Sequence, residues 1–306
     1  MTAYVLRRLL QMVPVVFGIT LIVFLLVRAS GDPVVLLLPE DATQEQIDLL
    51  RASLGLDRPV LEQYGRYLWN LLQGDFGTSL RFRNQDALAI TLERLPATLQ
   101  LASAALLVAV LISLPAGVIA AVYRNRWPDR LASTLSVVGE AMPNFWLGIM
   151  LILVFSVQFG LFPVSGRGGL AHLALPALTL GTALAALLTR LMRSSLLEVL
   201  NQDYVRTATA KGLVRRVVLS KHALRNALLS YVTVLGLQVA SLMAGAVVTE
   251  QVFAWPGIGL LAIQAINSRD MAIIQTVVIV ASLVVMSANL LVDVLYSLID
   301  PRITYT

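Results

Sequence analysis

The chain has 306 residues, 58% of them hydrophobic and only 13% charged, with a mean hydropathy of +0.79. Soluble domains carry about 25% charged residues, so an ordinary globular core is excluded and a multi-span membrane protein is indicated. The net charge of +5 fits an excess of Lys and Arg in cytoplasmic loops better than a nucleic-acid partner, and the lack of cysteine rules out a disulfide framework and thiolate chemistry.

In chain order, Arg7 and Arg8 precede an almost wholly apolar run from Leu9 to Val27. At 1.5 Å per residue this run can cross a hydrocarbon core of ~30 Å. A cleaved signal peptide is the competing reading, but its apolar region normally holds only ~7–15 residues. The run therefore reads as a retained helix with its N-terminus inside.

Residues 29–95 are polar and punctuated by Gly31-Asp32-Pro33, Gly55-Leu56-Asp57-Arg58-Pro59 and Gly74-Asp75-Phe76-Gly77. Within them, Thr43–Leu54 reads as a short helix, with Thr43 and Gln46 forming a capping box and Gly55 ending it. Pro59–Leu72 reads as a second, amphipathic helix through Leu61, Tyr64, Leu68 and Leu71. Ten acidic residues against six basic ones place this segment outside.

Five further spans are expected near Pro96–Val122, Ser136–Phe159, Ala171–Leu191, Ala227–Thr249 and Ile273–Tyr296. The loop after the second holds Arg124, Arg126 and Arg130. From Arg190, at the end of the fourth span, through the loop to Arg225 stand eight basic residues against Glu198 and Asp203. Both loops belong in the cytoplasm under the positive-inside rule, and six crossings return the C-terminus inside. The expected fold is an all-α polytopic membrane protein of six transmembrane helices, with a sizeable extracytoplasmic segment between helices 1 and 2. It forms one domain over 1–306: an N-terminal helix (1–28), the outer segment (29–95) and a five-helix core (96–306) carrying a cytoplasmic loop at 192–226.

That loop contains the most polar, basic stretch of the second half, Asp203–Asn226. Asp203 can cap a helix over Tyr204–Lys211, Gly212 can end it in the left-handed conformation, and a second helix from Val214 to Leu229 leads into the fifth span. Thr207, Ala208 and Ala210 leave the first helix low enough for close packing by a partner. A basic helix pair also suits anionic headgroups, and spacing alone does not choose between the two.

Other polar positions carry paired readings. Glu140 precedes Met142-Pro143-Asn144, where proline interrupts the third span. Glu140 either lines a translocation path or pairs near the cytoplasmic interface. Asp293 is expected to pair with a basic loop residue such as Arg130 or Arg225. Trp255-Pro256-Gly257-Ile258-Gly259, after Glu250, suits an outer turn, either plain or part of a gate. Ser241 with Gly245, and Ala240 with Ala244, offer close helix packing, within the bundle or between subunits. The two histidines, His172 and His222, have no metal-ligand spacing, and the chain has no G-x-x-x-x-G-K-[ST] phosphate loop.

The island resembles the E-A-A-x-x-x-G loop of ABC importer permeases, in the form used by the dipeptide/oligopeptide (peptide, glutathione and nickel) family. The resemblance rests here on Tyr204, Arg206, Thr207, Ala208, Ala210, Lys211 and Gly212, then His222-Ala223-Leu224-Arg225-Asn226-Ala227. It extends to Gly31-Asp32-Pro33, Leu54–Pro59, Gly74–Gly77, Glu250–Gly259, Arg269-Asp270 and Asp293–Arg302. Ser230 departs from it where many relatives have proline.

The resemblance implies a non-enzymatic permease subunit in a bacterial or archaeal cytoplasmic membrane, with both termini cytoplasmic, importing dipeptides or short oligopeptides by alternating access. It implies a second permease, two cytoplasmic ATPase subunits or domains that bind ATP and Mg, and an extracytoplasmic solute-binding protein. The chain itself binds no cofactor or metal. Tyr204, Arg206, Thr207, Ala208, Ala210, Lys211 and Gly212 would couple to the ATPases, and Glu140, Met142, Pro143, Asn144 and Glu250 would line a path or gate. Glutathione is the next substrate, supported by Arg124–Arg130, which resembles the corresponding loop of glutathione importers, and nickel chelates follow. An ion-coupled secondary carrier is the rival of a different class, and an intramembrane enzyme lacks any supporting constellation.

Overall fold

A computed structural model describes residues 2–29, 43–53, 55–79, 81–82 and 85–299. Gly31-Asp32-Pro33, Leu54 and Asp300-Pro301-Arg302 lie outside the described residues, as does the side chain of Asp293 and so its expected pairing with Arg130 or Arg225.

The described residues are helical throughout apart from turns and one isolated bridge between Thr78 and Asp86. Helix α1 spans Thr2–Ala29, α2 Gln44–Ser53, α3 Val60–Leu72 and α4 Ala87–Val122. Helix α5 spans Trp127–Ala141, α6 Asn144–Leu151 with a π-helical continuation over Ile152–Gln158, and α7 Leu170–Leu200. Helix α8 spans Asp203–Ala210, α9 Arg215–Val252, α10 Ile258–Asn267 and α11 Met271–Ile299. Among the described residues, five helices are long and apolar enough to cross a membrane alone, and there are six candidate spans if the bent α5–α6 pair counts as one.

Residues 1–93 and 261–284 form one compact unit. In it, the Thr43 backbone N–H donates to Gln46 Oε1 at 3.0 Å and the Gln46 N–H to Thr43 Oγ1 at 3.4 Å, the capping box read from sequence. Helix α3 packs on α1 through aromatic rings. Tyr64 meets Phe17 and Phe24 at centroid distances of 5.6 and 5.3 Å, and Tyr67 stacks on Phe24 at 5.8 Å. The Arg28 guanidinium donates to Gln63 Oε1, whose amide donates on to the carbonyls of Leu56 and Arg58. The Arg269-Asp270 motif meets the stretch just after Gly74–Gly77: buried Ser79 donates to Asp270 Oδ2 at 2.5 Å, and the Arg81 backbone N–H donates to the same oxygen at 3.2 Å.

Residues 94–260 and 285–306 form the second unit. Its core joins one face of α4 (Ala97, Leu101, Ala105 and Ala109) to Leu184, Leu188, Met192 and Leu196 of α7, and to Ala227, Tyr231 and Leu242 of α9. Small residues at four-residue spacing let the backbones close in, as in helix packing without a strong hydrophobic drive. At Gly181 a Cβ would stand 2.7 Å from the Ala105 carbonyl oxygen, so α4 and α7 cross only with glycine there.

The third expected span, Ser136–Phe159, is interrupted where its proline signalled. It breaks at Met142 and Pro143, both extended, and α5 and α6 meet at 105°. Proline has no N–H to donate and pushes the preceding residue out of the helical region. The second island helix and the fifth span are one continuous rod, α9, which passes unbroken through Ser230 with a π-helical stretch at Val218–Leu224. The segment after Glu250 is not a plain outer turn: it turns at Trp255–Gly257 and forms α10.

Candidate functional site

The island folds as two helices joined by an elbow. Gln202 occupies the N-cap position and Asp203 is the first helical residue, correcting the expected cap. An acid in the first turn complements the helix dipole, and Asp203 lies 3.6 Å from Arg206. Gly212 has φ +78°, the left-handed geometry that a side chain opposes, and the space around its missing Cβ is open. Its requirement for glycine is therefore conformational rather than steric.

Helix α8 has two faces. Val205 and Ala208 are buried against Val218 of α9. Asp203, Arg206, Thr207, Ala210 and Lys211 are exposed on the other side. Ala208 thus sits away from the open face, and its small side chain serves contact within the chain. Tyr204 is 43% exposed, and its hydroxyl accepts a 2.7 Å hydrogen bond from the Asn226 amide. A buried seat and a hydrogen bond therefore fasten α8 to α9. Further along α9, the Tyr231 and Ser113 hydroxyls share a 2.6 Å hydrogen bond with α4. Contacts therefore run from α8 through α9 to α4 in the helix core.

The proposed path residues do not converge on one surface. Glu140 forms an exposed ion pair with Arg190 of α7 at 2.5 Å, the pairing alternative of its two readings. Met142, Pro143 and Asn144 form the break between α5 and α6. Met142 lines a cavity of about 270 Å³ with Ile112, Leu135, Thr182 and Ala186.

Glu250 is fully buried. Its Oε1 accepts from the Thr98 hydroxyl at 2.6 Å and its Oε2 from the Leu260 N–H at 2.9 Å, while Thr98 Oγ1 accepts the Ile258 N–H at 2.9 Å. A Cβ on Gly257 would stand 2.1 Å from Glu250 Oε1. Trp255 is buried too, and its indole N–H donates to the Ala97 carbonyl at 2.8 Å. Glu250 thus clamps the turn into α10 and does not line an open path in this conformation.

Sequence reasoning missed the ion pair between Asp129 and Arg193. Asp129, 5% exposed in its side chain, receives Arg193 in a two-pronged contact at 2.5 and 2.9 Å, and the Asn125 N–H at 2.8 Å. A single acid among Arg124, Arg126 and Arg130 was the available signal. Gly245 packs inside the second unit, where a Cβ would lie 3.0 Å from Leu180, whereas Ser241 and Ala244 are exposed.

Residues 113–305 match the family model described as the binding-protein-dependent transport system inner membrane component, and residues 1–102 match its N-terminal companion. The chain belongs to this family of ABC importer permeases.

The permease is 44% identical over 306 residues, the full length of both chains, to the glutathione transport system permease protein GsiC of Escherichia coli strain K12 and to that of Shigella dysenteriae serotype 1. Its fold resembles the MetNI methionine ABC transporter in inward-facing conformations, with a TM-score of 0.60 at 19% identity over 69% of this chain and 96% of that one. It also resembles an amino acid ABC transporter, with a TM-score of 0.55 at 15% identity over 68% and 93%. This permease is therefore a multi-pass membrane subunit that moves a small solute by alternating access, and is not itself the catalytic component.

Proposed function

We propose that this permease imports glutathione. The observation that carries this reading is the 44% identity to glutathione permeases along the entire length of both chains. It reverses the order read from sequence, where dipeptides and short oligopeptides came first. The Arg124–Arg130 loop supports it, since the same stretch resembles glutathione importers and is held in shape by the Asp129–Arg193 pair.

In this reading the exposed face of α8 (Tyr204, Arg206, Thr207, Ala210 and Lys211) seats in a cytoplasmic ATPase, and Ala208 and Gly212 fix its angle to α9. ATP and Mg bind on two ATPase subunits or domains. Their closure biases the bundle only through contacts that differ between inward- and outward-open states. A second permease completes the pathway, and a solute-binding protein outside delivers the cargo. The basic loops support a cytoplasmic position for both termini and α8, in a bacterial or archaeal membrane.

The test is uptake by the complete complex in proteoliposomes, with labelled glutathione and unlabelled competitors. ATP-dependent glutathione accumulation, little affected by excess dialanine, is expected. Dialanine uptake that glutathione fails to inhibit would assign the permease to dipeptides instead.

A further inference from the structure

We infer that α3 of the segment between the first two spans is embedded in lipid, lying in the leaflet at the Ala29 end of α1 rather than standing in water. The sequence reads this segment as polar and external, which leaves the setting of α3 open.

The argument begins with depth. The span Leu6–Ala29 is 24 residues long, about 36 Å of helix, against a hydrocarbon core of ~30 Å. Phe17 therefore lies near its midpoint, and Thr20 lies about 13 Å from its Ala29 end. The Tyr64 hydroxyl of α3 donates to the Phe17 carbonyl at 3.1 Å and shares a hydrogen bond with Thr20 Oγ1 at 3.0 Å. Tyr67 stacks on Phe24, and Gln63 takes the Arg28 guanidinium. These contacts seat α3 beside the last three turns of the span, below its polar end.

At that depth the outward face of α3 is apolar. Leu61 is 82% exposed, Trp69 63% and Leu72 81%. They sit eight and three residues apart, along one stripe of the helix. The span α1, on which α3 packs, likewise exposes apolar side chains, among them Ile22 at 58%. Charge on α3 is confined to its first half, where the exposed Glu62 pairs with Arg58 at 2.5 Å and with Arg66, at the middle of the helix, at 3.4 Å. Past Arg66 the helix reads Tyr67-Leu68-Trp69-Asn70-Leu71-Leu72, without a charge. An amphipathic helix with Trp and Leu on one face and mutually paired charges in its first half suits the boundary between headgroups and acyl chains. Lipid is the occupant that matches both this depth and the packing of α3 on a membrane span.

The chain has no cysteine, so single introduced thiols report position without interference. Leu72→Cys and Leu61→Cys are each labelled with an environment-sensitive fluorophore, in the complete complex in phosphatidylcholine–phosphatidylglycerol nanodiscs. Ile22→Cys serves as the lipid reference and Glu45→Cys, exposed on α2, as the comparison site. We expect blue-shifted emission at both leucine positions, and quenching by acyl-chain nitroxide lipids within about twofold of that at Ile22. Red emission with rapid reaction toward an impermeant maleimide would overturn the inference. Blue emission unquenched by nitroxide lipid would also overturn it, placing a protein subunit on this face.

Discussion

The Asn226 side-chain amide donates to the Tyr204 hydroxyl at 2.7 Å, across 22 residues of sequence. This bond joins the exposed helix α8 to the rod α9 beside the hydrophobic seat of Ala208 on Val218. Both partners are solvent-accessible, so the bond adds little to folding and chiefly fixes an angle. Tyr204→Phe removes it at a typical net cost of about 0.5–1.5 kcal/mol. We expect normal amounts of permease in the membrane, and uptake per ATP hydrolysed reduced about two- to tenfold. An unchanged transport-to-hydrolysis ratio would show that the bond plays no part in coupling.

Gly212 tests the elbow. At φ +78° a β-branched residue is strongly disfavoured, whereas asparagine tolerates the left-handed region. Gly212→Val is expected to abolish coupled uptake while the chain remains in the membrane, and Gly212→Asn to retain most of it. Because the site is open, equal damage from both substitutions, measured as uptake and ATPase activity in liposomes, would point away from backbone geometry.

The Glu250 clamp predicts a graded stability series. Glu250→Ala leaves the Thr98 hydroxyl and the Leu260 N–H without their acceptors in a buried site, at about 1–3 kcal/mol for each unsatisfied group. Glu250→Gln retains one acceptor oxygen and should be milder. Gly257→Ala directs a methyl at Glu250 Oε1 and should resemble the alanine variant. Thermal unfolding in detergent ranks the three, and a Glu250→Ala variant as stable as the native chain would remove the clamp.

Two ion pairs tie α5 to α7, and their burial separates them. Asp129–Arg193 is two-pronged with its carboxylate buried (5% exposed) and its guanidinium partly so (29%), whereas Glu140 and Arg190 are 45% and 43% exposed. Breaking the two-pronged pair with Arg193→Met leaves an uncompensated carboxylate and should cost about 3–5 kcal/mol. Arg190→Met should cost about 0–1 kcal/mol. Unfolding midpoints of both variants check the difference, and equal shifts would contradict it.

Much of the fold was legible because the membrane imposes simple rules. The apolar runs located α1, α4, α7 and α11, and the Thr43–Gln46 capping box located α2. The reading failed where local chemistry met tertiary contact. Pro143 signalled an interruption, but a 105° turn depends on what α5 and α6 pack against. Trp255 and Glu250 looked like outer-turn residues because their partners, Ala97 and Thr98, lie more than 150 positions away. Within the island, composition located α8 and its elbow. Only packing separated the inward Ala208 from the outward Thr207, since both are small.

The central claim is that the outward face of α8 meets an ATPase, and site-specific cross-linking tests it most directly. In a chain without native cysteine, Thr207→Cys and Ala208→Cys carry a short photoactivatable cross-linker in the complete complex within native membranes. The account predicts an ATPase adduct from position 207 that changes in yield when ATP is trapped, and little from buried position 208. Lipid adducts alone from position 207 would contradict it, leaving α8 as a basic helix resting on the membrane surface.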